Sequence, residues 1–285
     1  MATFTNRAFL TYNNITTGSN IATGELLEAL SVTKTAVVDE YTPGDRITYI
    51  VSVLNTAQTA LSALTLTDNL GAFQNGETQV LYPLTYVDGS LKYYLNGVLQ
   101  APPAVTAGDT LTVTGITIPA GGNALFVYSA DVNAFAPLAG GETVDNTVSV
   151  SGAGITTPVT ATETITVANA PAVTITKSIS PSTVTENSRV TYTFVIQNYG
   201  NTAVTATDNA TVTDVFDPIL TDLVVTLDGT TLTEGVGYTY DATTGAFATV
   251  TSVITVPAAT YTRDPATGEV VTTPGTAILT VTGTI

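Results

Sequence analysis

Apolar and polar residues alternate in short runs along the whole chain. "ITYIVSVLN" (Ile47–Asn55), "LTVTGITI" (Leu111–Ile118), "VDNTVSVSG" (Val144–Gly152) and "VTYTFVIQN" (Val190–Asn198) are the clearest. A period of two with β-branched residues predicts strands buried on one face. Many such strands punctuated by Pro and Gly predict β-sandwiches and an all-β fold class. "DGSLKYYLNG" (Asp88–Gly97) reads as a hairpin whose tyrosines pack by default. The one helix-compatible stretch, "GELLEAL" (Gly24–Leu30), is short enough to be a linker or one strand.

The pattern repeats. "VTKTAVVDEYTPGDRITYIVSVLN" matches "ITKSISPSTVTENSRVTYTFVIQN" at one spacing, since 177 − 34, 189 − 46, 192 − 49 and 198 − 55 each give 143. "LTLTDN" with Asp68 is followed in the second copy by "ATVTDV" with Asp214. The first copy then continues through "VDNTVSVSGAGITTP", whereas the second reaches Ile285 about one strand short. The counterpart of that closing strand stands at the other end: "FTNRAFLTYNNITTG" matches it at a spacing of 140 (146 − 6, 155 − 15). The expected organisation is an N-terminal donor strand and linker (1–24), a first domain (25–170) and an incomplete second domain (171–285).

On these residues the chain resembles the bacterial surface repeat called domain of unknown function 11. The resemblance rests on "PGDRITYIVSVLNTA", "TLTDNL" and "DNTVSVSG", and covers nearly the whole chain twice. The opening "MATFTN…LTYNN" also resembles clostridial surface-filament and spore-appendage proteins that carry it. The resemblance implies immunoglobulin-like β-sandwich domains on a cell or spore exterior; with the repeat, the expectation is two in tandem, the second departing from the pattern by lacking its last strand. The resemblance implies no ligand or activity. The second copy departs from the pattern also where "TENS" (185–188) stands for "TPGD" (42–45).

Composition narrows the function. Seven basic against 23 acidic residues, net −16, argue against nucleic acid or anionic membrane partners. The absence of His and Cys removes the commonest bases, nucleophiles and transition-metal ligands, so a conventional enzyme is not expected and no cofactor is implied. No apolar run approaches a membrane span, and no Sec-type signal peptide is visible. Carboxylates such as Asp39, Glu40, Asp45, Asp131, Asp145 and Asp264 could bind calcium, but without EF-hand or RTX spacing they read as solvated acidic loops. Asn14-Ile-Thr and Asn209-Ala-Thr match the glycosylation triplet, a motif short enough to arise by chance.

Candidate chemistry lies in polar residues on apolar stripes. Alternation places Lys34 with Val32, Lys177 with Val173 and Ile175, Asp68 with Leu64 and Leu66, and Asp214 with Val212. It places Asn146 with Val144, Val148 and Val150, and Asn6 with Phe4, Ala8, Leu10 and Tyr12. One reading is a buried Lys–Asp ion pair hydrogen-bonded to Asn. The sharper one is an autocatalytic isopeptide bond: burial favours a neutral amine, the nucleophile, and a neutral acid that polarises the Asn carbonyl. Asp68 and Asp214 would be the catalysts, Lys34–Asn146 the cross-link within one domain and Lys177–Asn6 the cross-link between molecules. Surface adhesins and pilins with immunoglobulin-like domains resemble this placement of Lys on the first strand and Asn on the last.

A sandwich short of a strand exposes an edge and a strip of core. Donor-strand exchange from another copy, through Phe4, Ala8, Leu10 and Tyr12, would fill it and generate a head-to-tail homopolymer. The N-terminal strand could instead fold back on its own second domain or pair with the edge of the first. The rival function is a monomeric or surface-anchored adhesin pair binding glycan or host protein, with the polar triads as ion pairs.

Overall fold

The computed structural model describes residues 2–26, 29–152 and 155–285, and the protein is all-β, as expected. Its one helical element is a single 3-10 turn, Ala206–Asp208. The chain divides into two compact units: residues 1–133 with 144–165, and residues 134–143 with 166–285.

The first unit is a sandwich of two six-stranded sheets. One sheet runs, in spatial order, Val98–Gln100, Lys92–Leu95, Asn123–Val132, Arg46–Asn55 and Leu30–Ala36, with Leu84–Tyr86 also pairing on Asn123–Val132. The other runs Ala104–Ala107, Leu111–Ile118, Leu61–Asp68, Thr143–Ser151, Val159–Val167 and Glu40–Tyr41. The alternation read from sequence is the packing: Ile47, Tyr49, Val51 and Val53 are buried from the first sheet, and Leu64, Leu66, Val148 and Val150 from the second. The 88–97 stretch is not itself a hairpin. Lys92–Leu95 is its outgoing strand, and the turn is Asn96-Gly97, both at positive φ, returning through Val98–Gln100. Tyr93 of that strand is buried and stacks on Phe126, 5.1 Å between centroids.

Asn55 closes one end of this sandwich. Its buried amide donates to the carbonyls of Thr59, Ile118 and Pro119, so one side chain satisfies three backbone acceptors that strand ladders leave open. In the second unit the equivalent Asn198 donates to Thr202 and Pro257. That unit has a five-stranded sheet, Val173–Ser180, Arg189–Asn198, Gly275–Thr284, Thr221–Leu227 and Thr230–Thr231. A three-stranded sheet, Thr213–Val215, Ala246–Thr249 and Tyr238–Asp241, accompanies it. Phe194, Phe216, Phe247, Leu279 and Val281 are central to its core.

The N-terminal segment is not a lone strand. Ala2–Asn6 pairs antiparallel with Ala22–Leu26, and Phe9–Tyr12 with Ile15–Gly18, around a two-residue turn, Asn13-Asn14, at φ 47° and 61°. Between the two ladders the return strand carries one residue more, Ser19–Ile21 against Arg7–Ala8, a bulge held by Ala8 N donating to Ser19 Oγ at 3.0 Å. The 24–30 stretch therefore begins as the base of this hairpin and ends in the Leu30–Ala36 strand, while Leu27 and Glu28 lie outside the described residues.

Candidate functional site

In the first unit Lys34 sits on the Leu30–Ala36 strand, opposite Val51, with its side chain wholly buried. Its Nζ reaches across the core to Asp68 Oδ2 at 2.5 Å and lies 4.8 Å above the Tyr49 ring. Asp68 ends the Leu61–Asp68 strand and is also fully buried. Its Oδ1 accepts from Leu70 N at 2.9 Å, and its Oδ2 accepts from Lys34 and from the Tyr128 hydroxyl. On the neighbouring strand Val148 stands directly opposite Asp68. Asn146, two residues along on the same face, is therefore Asp68's diagonal neighbour, within side-chain reach. The structure brings together Lys34, Asp68 and Asn146 on the inner face of the first unit.

Electrostatics distinguish the three. Burial lowers the Lys34 amine from 10.5 to about 8, against the opposing pull of Asp68 and, further off, Glu163. Burial likewise raises the hydroxyls of Tyr49 and Tyr128 well above the usual phenol value, and the Asn146 amide facing them partly offsets that rise. Yet neither Asn146 Nδ2, Asn146 Oδ1 nor the Tyr49 hydroxyl meets a partner at hydrogen-bonding geometry. A buried amide left unsatisfied at both ends costs about 1–3 kcal/mol.

The second unit repeats half of this arrangement. Lys177 ion-pairs with Asp214 and lies over the rings of Tyr192, Phe216 and Phe194, at 4.6, 5.3 and 5.5 Å. Asp214 faces Phe247 across its ladder as Asp68 faces Leu111. The two sites differ in burial: Lys177 and Asp214 side chains are 41% and 19% exposed, where their counterparts are 0%. The cause is visible in the sheet order. The Asp68 strand is flanked on both sides, whereas Thr213–Val215 pairs only with Ala246–Thr249 among the described strands. Val173, Ile175 and Ile179, on the same face as Lys177, are 48%, 53% and 40% exposed. Phe4, Asn6, Ala8, Leu10 and Tyr12 all lie exposed on the N-terminal hairpin, with Asn6 opposite Ala22.

Residues outside the expected triad also shape the site. Tyr128, opposite Tyr49 in the ladder, was legible as an inward position of "NALFVYSADV", where a polar tip needs a partner. In the second unit the pair opposite is Tyr192–Val281, so that hydroxyl has no counterpart. Glu163, on the Val159–Val167 strand, accepts from Ala36 N at 3.1 Å and so ties that strand to the Lys34 strand. Among the described residues no group of three or more Asp or Glu is placed to hold a metal ion, and no helix is long and apolar enough to cross a membrane.

No protein-family profile and no curated protein matches the chain. Among solved structures it is similar to BcpA, the major pilin subunit of Bacillus cereus, at 11% identity over 96% of this chain and 73% of that one, TM-score 0.37. It is similar to the collagen-binding domain of a Staphylococcus aureus adhesin at 16% identity, over 48% and 97%, TM-score 0.29. It is also similar to a family 123 glycoside hydrolase of Clostridium perfringens at 10% identity, covering half of this chain but only 28% of that one, TM-score 0.31. Likenesses this distant establish no common function, so any function rests on the residues above.

Proposed function

We propose that this protein is a structural subunit of an extracellular filament or appendage. The subunits join head to tail by donor-strand exchange, with Lys–Asn isopeptide bonds within and between them. The observation that carries this reading is the duplicated Lys–Asp pair. Lys34–Asp68 is sealed beneath a strand that presents an orphan amide, while Lys177–Asp214 lies open beside an unpaired edge. The N-terminal hairpin carries an exposed apolar face with Asn6 in the place of Asn146.

The chemistry follows from the contacts. Passing one proton from the Lys34 ammonium to Asp68 Oδ2, across 2.5 Å, leaves a neutral amine beside a carboxylic acid. The amine nitrogen attacks Cγ of Asn146, and the acid polarises the amide oxygen. A new C–N bond forms and the C–NH2 bond breaks; the amide nitrogen takes one proton from the amine and the one held by Asp68, and leaves as ammonium. Asp68 thereby returns to a carboxylate. At Lys177 the same balance holds with Asn6 of another copy.

The test is boiling in SDS. The filament reading expects a ladder of covalent multimers that disappears in Asn6→Ala and in Lys177→Met. A chain that runs as a monomer before and after concentration leaves the adhesin reading, with both sites as ion pairs.

A further inference from the structure

We infer that the donated element is a two-stranded hairpin, Ala2–Leu26, and that its acceptor is the open face of the second unit of another copy. This rests on the filament reading and changes what that reading exchanges. In the first unit the place beside Asp68 is filled by a pair of strands, Thr143–Ser151 and Val159–Val167. Both are needed to close the site. Thr143–Ser151 presents Asn146, and Val159–Val167 lies over the Lys34 strand, as the Glu163–Ala36 bond shows.

A single strand laid beside Thr213–Val215 would supply only the first of these. The exposed Val173, Ile175 and Ile179 correspond at the 143 spacing to Leu30, Val32 and Ala36, on the strand that the second closing strand of the first unit covers. An apolar strip of that kind needs a second strand above it.

The hairpin has the matching build. Thr147–Thr162 and Asp145–Thr164 side-chain bonds set the register of the closing pair, which puts Val144 opposite Ile165 and Asn146 opposite Glu163. At the 140 spacing Phe4 and Asn6 take the places of Val144 and Asn146, and their partners in the hairpin are Gly24 and Ala22. A large residue and none thus replace two of middle size. The Phe4 ring fills the room: a Cβ on Gly24 would stand 2.3 Å from Phe4 Cζ. In the transferred register Ala8 faces Asp214 and Leu10 faces Val212, as Val148 faces Asp68 and Val150 faces Leu66. That places Asn6 diagonal to Asp214.

The experiment compares the full chain below and above its assembly concentration by two measurements. Hydrogen exchange of the unmodified chain follows the amides of 2–12, 22–26 and 213–215, and maleimide labelling follows an Ile175→Cys variant, clean because the chain has no cysteine. Hairpin docking predicts protection of all three segments on assembly and a labelling rate at position 175 reduced about tenfold or more. Protection of 2–12 and 213–215 alone, with position 175 still reactive, overturns the hairpin and leaves single-strand exchange standing. No protection anywhere removes donor exchange altogether.

Discussion

Replacing Asn146 by Ala changes stability with a sign that depends on whether the isopeptide bond forms. A bond between Lys34 and Asn146 ties off the chain from position 34 to position 146. By the chain-entropy account, closing a loop of about 100 residues removes about 4.7 kcal/mol of unfolded-state freedom. Asn146→Ala would forfeit that. If no bond forms, the same substitution removes a buried amide with no partner, a group that costs about 1–3 kcal/mol to bury, and the loss of its packing leaves the net near zero. The bonded case therefore expects destabilisation of the first unit by about 4 kcal/mol, and a urea midpoint lower by about 2 M at a slope near 2 kcal/mol per molar. Urea unfolding followed by the tyrosines of this unit, which holds Tyr49, Tyr86, Tyr93 and Tyr128 in its core, reads the midpoint. Intact mass reads the bond directly, as a loss of one ammonia, about 17 Da, in wild type and none in Asn146→Ala or Asp68→Asn. Full mass in wild type, with an Asn146→Ala midpoint unchanged or raised, refutes the reasoning and leaves the ion pair.

Other consequences are open to measurement. In Asn146→Ala the Lys34 amine stays free, with its folded value lowered to about 8 from 10.5. The unfolded state then binds more protons between those two values, so stability rises with pH across that window, by about 3 kcal/mol, and is level below it. A pH series of urea midpoints checks this. Cross-linking after refolding needs the one proton shared by Lys34 and Asp68, so its rate is level near neutrality and falls about tenfold per unit above pH 8; a rate still climbing at pH 9.5 would show that the free amine alone suffices. Tyr128→Phe removes the hydroxyl that donates to Asp68, a hydrogen bond that favours the charged carboxylate by about 1.5–3 kcal/mol, so Asp68 takes the Lys34 proton more readily and ammonia loss quickens about tenfold or more, with the unit still folded by circular dichroism. Asn55→Ala abandons three carbonyls, that of Ile118 buried, and lowers the first unit's stability by about 1–3 kcal/mol, whereas Arg46→Ala, whose partner Asp131 is exposed, leaves the urea midpoint nearly unchanged.

What the sequence disclosed was whatever period two and the repeat could encode. Inward Lys34, Asp68 and Asn146 follow from strand alternation because each strand has one buried face. Other features escaped because they depend on pairing between segments distant in the chain. Asn55 and Asn198 align in the repeat, yet their role in satisfying loop carbonyls is set by where Pro119 and Pro257 arrive. Lys177 lies over Tyr192 and Phe216, yet its 41% exposure depends on pairing that alternation does not encode: among the described strands Thr213–Val215 pairs only with Ala246–Thr249. The hairpin was within reach: Asn13-Asn14 between "FLTY" and "ITTG" is a two-residue turn signal, and only the pull of the strand alignment hid it.

The separation of Lys34 and Asn146 along the chain bears on mechanics. Lys34 lies five positions into the first unit's sandwich, counted from Leu30, and Asn146 lies near its close. Once those two side chains are joined, tension applied along the chain passes from the Leu30–Ala36 strand through one amide into the Thr143–Ser151 strand. Everything folded between them is out of the load path. Pulling on a chain linked in the proposed way would stretch covalent bonds where an unlinked sandwich would unzip.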